Sequence, residues 1–575
     1  MPGILIIFCQ AATQLPATCL LFNITGISLS FWIASFWILK FIPLSLTNLY
    51  FITAILTTLS VIYFLLIPKQ KAGIVFKRSD AILISIFSYI LILRLFPLFD
   101  CIAPSGADMS MHSYITALIV KQNGIPNSYY PVLGIQEFSS FPVGFHTMSA
   151  LISLLGDIPA YRGAFIMSCM TYFFLTALLF TFIQTFLPWD IAILSSVAFT
   201  FFTENPQGFI GWGGNPTILA LVFLLFFMSI IERIETNEKL NIILSSLALA
   251  AIFLTHSIIF VQSFYIVGFS LSVYLLLNKA HLKLHWVKYV MICLLFLAII
   301  LPYLYDFNFS IATQNTQAWI KNWVRNSGHV WQGTLKNALW TIPAYMTNYV
   351  FGNSVFWYSL LVCIVGLIIL IKQNPKRCVH HLVFLIACVL LILNAKYWVL
   401  PFSYAIYPER VALMTVIPLS ILFGYAIGES LKFIKNKHLN NTIKIFLVLA
   451  ALLLSHETNK LLFIDRIKAF SPLTNEDVEA FMWLDKTAKK NDIIQNNYGD
   501  AGLWIPAVIF RGITHPHVNV VYLDKLKSLG KPKFVYVGSK CVYPESCQLN
   551  KSALKDNNKY KLVYNSNGVY IYQLQ

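Results

Sequence analysis

The segment GADMSMHSYI, residues 106–115, contains an acid and an imidazole four residues apart. If a helix begins near this point, Asp108 and His112 lie on one face of its first turns, because side chains at i and i+4 are neighbours. Together they can bind a divalent metal ion or a hydroxyl group. A simpler alternative is that Asp108 caps the helix and His112 faces lipid headgroups. Asp100, at the end of the preceding apolar segment, is a weaker second carboxylate.

Two further motifs carry polar side chains suited to contact a substrate. SSFPVGFHTMSA contains His146, and ENPQGFIGWGGNPTILA contains Glu204, Trp212 and Asn215 beside a pair of glycines. The glycines allow close approach of another backbone, and Asn215 is a residue type that caps helices. The alternative is that this motif contacts a sugar or a phosphate group.

Glu409 and Arg410 are adjacent in YPERVALMTV, at the start of an apolar run. An arginine at such a position can extend its charge to the membrane interface without any further role. It can also hold the phosphate of a lipid-linked donor through a bidentate contact. Both interpretations stay open at this stage.

The C-terminal segment NNYGDAGLWIPAVIFRGITHPHVN carries Asp500, Trp504, Arg511, His515 and His517. The two histidines are possible metal ligands. A histidine pair without a third ligand, however, is a weak indication of a metal site.

The composition is that of a polytopic membrane protein. Of 575 residues, 58% are hydrophobic and 11% are charged, and the mean hydropathy is +0.70. The net charge is +17, yet the basic residues are not gathered on one soluble face, so nucleic acid is not an expected partner. Many instead lie in short loops between apolar segments, where the positive-inside rule predicts the cytoplasm. These clusters are Lys69, Lys71, Lys77 and Arg78; Lys279, Lys283 and Lys288; Lys372, Lys376 and Arg377; and Lys432, Lys435 and Lys437.

Apolar segments of about 20 residues, the length that crosses a bilayer, predict about 13–14 transmembrane helices. We place them at 3–22, 25–45, 48–67, 81–99, 164–187, 191–206, 215–231, 240–256, 258–277, 288–306, 349–371, 381–395, 409–431 and 443–460. No charged residue precedes Lys40, so we expect the first segments to stay in the membrane rather than act as a cleaved signal. Alternation from a cytoplasmic 68–80 loop puts loops 100–163 and 307–348 outside. The apolar segment 144–156 is too short to span and is predicted to be re-entrant or interfacial.

Three regions are predicted along the chain: N-terminal transmembrane helices over 1–67, a transmembrane core over 68–460 and an external soluble α/β domain over 466–575. In the last region, Thr474 followed by acids predicts a helix start. Alternating strands follow, and Asn567-Gly568 predicts a hairpin turn.

Cys541 and Cys547 lie close together in the C-terminal region. If that region is outside the cytoplasm, a disulfide between them is plausible; two free thiols are the alternative. The other cysteines lie mostly in apolar spans, where they act as small apolar residues.

This order of features resembles the GT-C superfamily of integral-membrane glycosyltransferases. More narrowly, GADMSMH, FPVGFH, WGGNPT and the tail NNYGDAGLWIPAVIFRG are similar to a prokaryotic GT-C-like membrane family, over about residues 81–575. The resemblance implies a GT-C-like fold and a sugar donor carried on polyprenyl phosphate. It also implies transfer to a glycan, lipid or protein acceptor on the external face of the cell (inner) membrane.

The resemblance further implies roles for residues. Members use an acid of the first external loop as catalytic base or metal ligand, and Asp108 matches that position. Met109 follows it where a second acid is common, so the use of His112 in its place and a requirement for Mg or Mn both stay open. The residues predicted to contact substrate are His146, Glu204, Trp212, Asn215, Glu409 and Arg410.

Two rival functions are a transporter or flippase for a lipid-linked or anionic substrate, and a noncatalytic envelope-assembly protein. Transporters usually place ionisable groups near the bilayer midplane, often in repeated halves. No internal repeat stands out in this sequence, and the notable polar residues cluster at span ends. This distribution favours chemistry at the membrane surface.

Overall fold

Long apolar helices make up most of the chain. The computed structural model describes residues 17–66, 77–132, 138, 141–234, 238–277, 279–305, 350, 356–373, 375–397, 400, 406–517, 531–549, 551–555 and 557–575. The first helices in chain order are α1 (Ala17–Phe36), α2 (Leu46–Leu66), α3 (Arg78–Leu95), α4 (Ala107–Gln122), α5 (Gly144–Gly156), α6 (Ala160–Ile183), α7 (Trp189–Phe201) and α8 (Asn215–Ile231). They are followed by α9 (Glu238–Thr255), α10 (Ser257–Leu277), α11 (Lys279–Leu304), α12 (Phe356–Gln373), α13 (Pro375–Tyr397), α14 (Pro408–Met414), α15 (Val416–Lys432) and α16 (Lys437–Asn459).

The predicted class, a polytopic α-helical membrane protein, is confirmed. Within the described ranges, eight helices are long and apolar enough to cross a membrane, and six shorter apolar helices accompany them. The predicted span 215–231 coincides with α8, and most other spans differ from their helices by a few residues. The predicted external loop 307–348 lies outside the described residues.

The predicted break between the first two spans is wrong. Residues 22–25, where the break was predicted, lie inside the single helix α1, which continues as the 3₁₀ turn Trp37–Lys40. Residues 3–16 of the first predicted span lie outside the described residues. Asn23, which lies at the predicted break, is buried among neighbouring helices. A polar side chain inside a bundle does not end a helix, because its backbone stays hydrogen-bonded.

The helix observed at the last predicted span, 443–460, is longer than that prediction. Beyond α16 the chain stays helical through a π-helical turn, Lys460–Ile464, and then α17 (Asp465–Phe470). The helix therefore extends past the predicted end of the membrane core at residue 460 and leads directly to the C-terminal domain.

A buried arginine ties this last helix to the rest of the bundle. Arg94 of α3 donates from Nη1 to Gln207 Oε1 at 3.0 Å and to Asn459 Oδ1 at 2.8 Å. Its guanidinium also lies 3.7 Å from the centre of the Phe201 ring. Neutral oxygens and an aromatic face thus surround the charge, which fixes the end of α16 against α3.

The C-terminal region is a small α/β domain. It consists of α18 (Asn475–Thr487), β1 (Ile493–Gln495), α19 (Ile505–Ile509), β2 (Pro532–Val537), α20 (Lys551–Lys555), β3 (Tyr560–Ser566) and β4 (Val569–Leu574). The strand order is β1-β2-β4-β3, with β1 parallel to β2 and the other pairs antiparallel.

Two local predictions for this domain are confirmed. Thr474 caps α18 in a reciprocal capping box with Asp477. Asn567 and Gly568 turn the chain between β3 and β4 with φ of 45° and 87°, as a type I′ hairpin requires. The structure also joins Cys541 and Cys547 by a disulfide bond.

Candidate active site

Two glycines bring the motifs GADMSMH and WGGNPT into direct contact. Gly106 has φ of 92° and precedes α4, and a Cβ atom there would lie 2.2 Å from the carbonyl carbon of Trp212. Gly213 has φ of 100°, and a Cβ atom there would lie 3.0 Å from Asp108 Cβ. Only glycine suits both the conformation and the space. The close packing fixes the first turn of α4, which carries Asp108.

The carboxylate of Asp108 is held by a residue of the C-terminal domain. His517 Nε2 contacts Asp108 Oδ1, although the two residues are 409 positions apart in sequence. On its other side, His517 Nδ1 contacts the hydroxyl of Tyr498. Asp108 and His517 each keep 31% of their side-chain surface accessible. A carboxylate, an imidazole and a phenol therefore form a connected line that still opens to a substrate.

His112 turns from Asp108 towards His146 of α5. Its Nδ1 lies 2.9 Å from His146 Nε2. One ring therefore donates a hydrogen bond and the other accepts it. The alternative in which Asp108 caps α4 and His112 faces headgroups is wrong. The N-cap position belongs to Gly106, without a side-chain cap, and the His112 ring faces another imidazole inside the protein.

The surroundings keep Asp108 ionised. Burial raises the pKa of this carboxyl, but the charge and the hydrogen bond of His517, together with the charge of Arg410, outweigh it and lower the pKa below its usual range. Burial lowers the pKa of His112 to about 4, although Asp108 opposes that shift. For His517, burial lowers the pKa and the contact with Asp108 raises it. The effect of Asp108 is the larger, so the pKa of His517 lies above its usual value. At neutral pH the site holds an ionised carboxylate beside a neutral His112.

Arg410 supplies a positive charge next to this carboxylate. Its guanidinium lies 4.5 Å from the centre of the Tyr407 ring and 5.9 Å from that of Trp212. Its Nε and Nη1 atoms are buried and have no hydrogen-bond partner among the described residues. Aromatic faces attract a guanidinium without using its N–H groups. Arg410 therefore has donors available for an anion.

Comparison with known proteins gives a fold match without a sequence match. No protein-family model and no curated protein sequence matches the chain. The structure is similar to the Archaeoglobus fulgidus oligosaccharyltransferase, solved with Zn and sulfate, with a TM-score of 0.51 and 11% identity over 78% of this chain and 67% of that one. It is also similar to ArnT from Cupriavidus metallidurans, solved without ligand and with undecaprenyl phosphate, with a TM-score of 0.54 and 10% identity over 86% of this chain and 98% of that one. The chain has the GT-C fold.

The structure places three of the predicted contact residues as follows. Asn215 was expected to cap α8, but Gly214 is at the N-cap. The Asn215 amide instead donates to Met109 Sδ at 3.1 Å and to Ser168 Oγ at 3.0 Å, because it is fully buried between α4 and α6. Glu204 pairs with Arg466 at 2.7 Å. Glu409 lies half-buried in the first turn of α14.

The weaker second carboxylate, Asp100, is also engaged elsewhere. Its Oδ2 lies 2.8 Å from Lys468 Nζ of α17. Asp108, rather than Asp100, is therefore the acid that faces His517 and the charge of Arg410.

Asp108 and His112 are the two residues that the sequence suggested as possible metal ligands. Among the described residues, no group of three or more His, Cys, Asp or Glu side chains is arranged to hold a metal ion. Asp108 Oδ1 and His112 Nδ1 are both engaged in contacts with other rings. The predicted pair of metal ligands thus does not form a complete ligand set in this part of the chain.

The contacts of His517 and Tyr498 near Asp108 were not predicted from the sequence. His517 was noted only with His515 as a weak metal pair, whereas the structure exposes His515 and turns His517 towards Asp108. Tyr543, whose hydroxyl is hydrogen-bonded to the backbone of Ala107, was not considered. Contacts between residues so far apart leave no local periodic signal.

Proposed function

We propose that the protein is a membrane glycosyltransferase. It moves a sugar from a polyprenyl-phosphate-linked donor to a glycan, lipid or protein acceptor of the cell envelope. The observation that carries this proposal is the accessible Asp108 carboxylate within the electrostatic influence of Arg410, whose Nε and Nη1 have no hydrogen-bond partner among the described residues, in a chain with the GT-C fold.

The reaction we propose is an inverting transfer. Asp108 removes the proton of the acceptor hydroxyl as its oxygen forms a bond to the anomeric carbon. The bond between that carbon and the donor phosphate oxygen breaks at the same time, and the phosphate leaves with the electron pair. A positioned general base contributes about 10²–10⁴-fold to such a reaction.

Arg410 is proposed to bind the leaving phosphate. Charge on the phosphate grows as the glycosidic bond breaks, and a fixed cation stabilises that transition state. The stacked Tyr407 and Trp212 rings hold the guanidinium in place while leaving its N–H groups for phosphate oxygens. The ArnT structure with undecaprenyl phosphate supports a lipid phosphate as the ligand class.

The site and the C-terminal domain are proposed to lie on the external face, periplasmic or extracellular, of the cell membrane. The support is the charge pattern: all four basic clusters fall on the opposite side when the spans alternate. A disulfide between Cys541 and Cys547 suits that compartment.

The test is sugar transfer in membranes from a panel of polyprenyl-phosphate donors, with and without a chelator. We expect transfer from at least one donor, and we expect Arg410→Ala to lower its rate by about 100- to 1000-fold. The matched control is Arg78→Ala, which removes an exposed arginine at the first residue of α3. This variant should keep the full rate. Loss of activity with chelator would establish a requirement for Mg or Mn, which the sequence left open.

Unchanged transfer by Arg410→Ala would contradict the role of that residue. Binding of undecaprenyl phosphate without transfer from any donor would contradict the proposal that the protein is an enzyme. It would favour a noncatalytic assembly protein.

A further inference from the structure

The C-terminal domain contacts the Asp108 carboxylate through the side chain of His517. The ring extends from the segment after α19 to the first turn of α4 and contacts Asp108 Oδ1. We infer that His517 is a positioning residue for Asp108, so that the C-terminal domain completes the active site. This inference rests on the proposed function and adds a residue that the proposed chemistry does not itself require.

The line of contacts fixes which Asp108 oxygen reacts. When the His517 ring is neutral, the Tyr498 hydroxyl donates to Nδ1, and the ring proton is then on Nε2. When the ring is charged, both nitrogens carry protons. In either state Nε2–H donates to Asp108 Oδ1. The opposite neutral tautomer would place a ring lone pair against the ionised carboxylate.

The second oxygen of the carboxylate is consequently the reactive one. No described residue forms a hydrogen bond to Asp108 Oδ2, while the side chain stays 31% accessible. A carboxylate held at one oxygen cannot rotate freely, so its other oxygen keeps one direction. Such preorganisation contributes to catalysis because the base need not be ordered during the reaction.

The partners of His517 are themselves rigidly held. Gly499, next to Tyr498, accepts a hydrogen bond from Val542 N at 2.8 Å. A Cβ atom at Gly499 would lie 2.7 Å from Cys547 Sγ of the disulfide. Asn496, two residues before Tyr498, pairs with the backbone of His515, two residues before His517. Its side chain donates to His515 O at 3.1 Å and accepts from His515 N at 3.0 Å. Hydrogen bonds therefore hold the segment that carries Tyr498 against the segment that carries His517.

The inference is tested with His517→Ala, His517→Gln and Tyr498→Phe in the full-length protein. Sugar transfer and the KM for the lipid-linked donor are measured for each variant. We expect His517→Ala to lower kcat by about 10- to 100-fold, as loss of a group that orients a reactive ligand does, with the donor KM unchanged. His517→Gln should recover much of the rate, because its amide can donate to Oδ1 in place of Nε2–H. Tyr498→Phe should have a smaller effect than His517→Ala.

The matched control is His515→Ala, which removes an exposed histidine two residues away. It should transfer at the rate of the unaltered protein. A full rate in His517→Ala, with an active parent, would overturn this inference and leave the proposed function intact. A His517→Gln variant as slow as His517→Ala would also overturn it, since a hydrogen-bond donor would then not be what matters. No transfer by the unaltered protein from any donor would overturn the proposed function and this inference together.

Discussion

At the scale of single residues, the position of Asp108 depends on Gly106. This glycine adopts φ of 92°, which side chains disfavour, and its space is closed by the backbone of Trp212. Its N–H also donates to Phe470 O at 3.0 Å. The start of α4 is thus fixed from two sides, by the WGG turn and by the end of α17.

We predict that Gly106→Ala impairs both stability and transfer. The new methyl group would meet backbone atoms that cannot move aside, and the positive φ alone costs about 1–3 kcal/mol. The free energy of unfolding should fall accordingly, and the transfer rate should fall because Asp108 is displaced. Thermal unfolding and the transfer assay measure the two effects.

Gly124→Ala is the control at the other end of the same helix. A Cβ atom there would lie 3.9 Å from its nearest neighbour, Gln122 O, so this variant should behave like the unaltered protein. Equal stability of Gly106→Ala and Gly124→Ala would contradict the role assigned to the close approach.

At the scale of elements, Asp500 joins the ends of β1 and β2. Its Oδ1 accepts from Gly502 N at 2.8 Å, and its Oδ2 accepts from Asn497 Nδ2 and from Gly538 N, both at 2.9 Å. Burial nevertheless dominates and raises the pKa of Asp500 from 3.8 to about 6, against the effect of these hydrogen bonds. The folded domain therefore binds a proton here more tightly than the unfolded chain does.

The sign of the resulting pH dependence follows from linkage. The stabilising contribution of protonated Asp500 is complete below the unfolded pKa and is lost as the pH rises through about 6. It amounts to about 3 kcal/mol at most. We predict that the difference in unfolding temperature between the unaltered protein and Asp500→Asn decreases from pH 4 to pH 7. Glu545→Gln, which alters an exposed acid of the same domain, should show no such trend, and a constant difference for Asp500→Asn would contradict the prediction.

Elements were predictable from the sequence where one physical signal dominated. Twenty apolar residues specify a span, Asn567-Gly568 specifies a hairpin and Thr474 specifies a helix start, because each signal is local. The division of α1 was not predictable, since a buried Asn23 and a loop asparagine have the same residue type. The continuation of α16 into α17 was not predicted, because charged residues such as Asp465 and Arg466 interrupt the apolar run that marks a span.

At the scale of the whole molecule, the site lies where the C-terminal domain meets the helix bundle. Besides the contact of His517 with Asp108, this junction holds the ion pairs Arg466–Glu204 and Lys468–Asp100, at 2.7 and 2.8 Å. The sequence identified Asp108, His112, His146 and Arg410 as candidates by residue type and by predicted topology. It could not show that His517 joins them, because that contact depends on how two folded regions dock.

The most direct test of the account is the effect of Asp108→Asn on sugar transfer from a polyprenyl-phosphate donor. The amide keeps the size of the side chain but cannot take the acceptor proton, so we expect transfer to fall below detection while the protein still inserts into membranes. Asp157→Asn is the control, because this exposed acid ends α5 in a left-handed conformation that asparagine also adopts. Full transfer by Asp157→Asn together with none by Asp108→Asn is the predicted result. Transfer by Asp108→Asn at the rate of the unaltered protein would contradict the account.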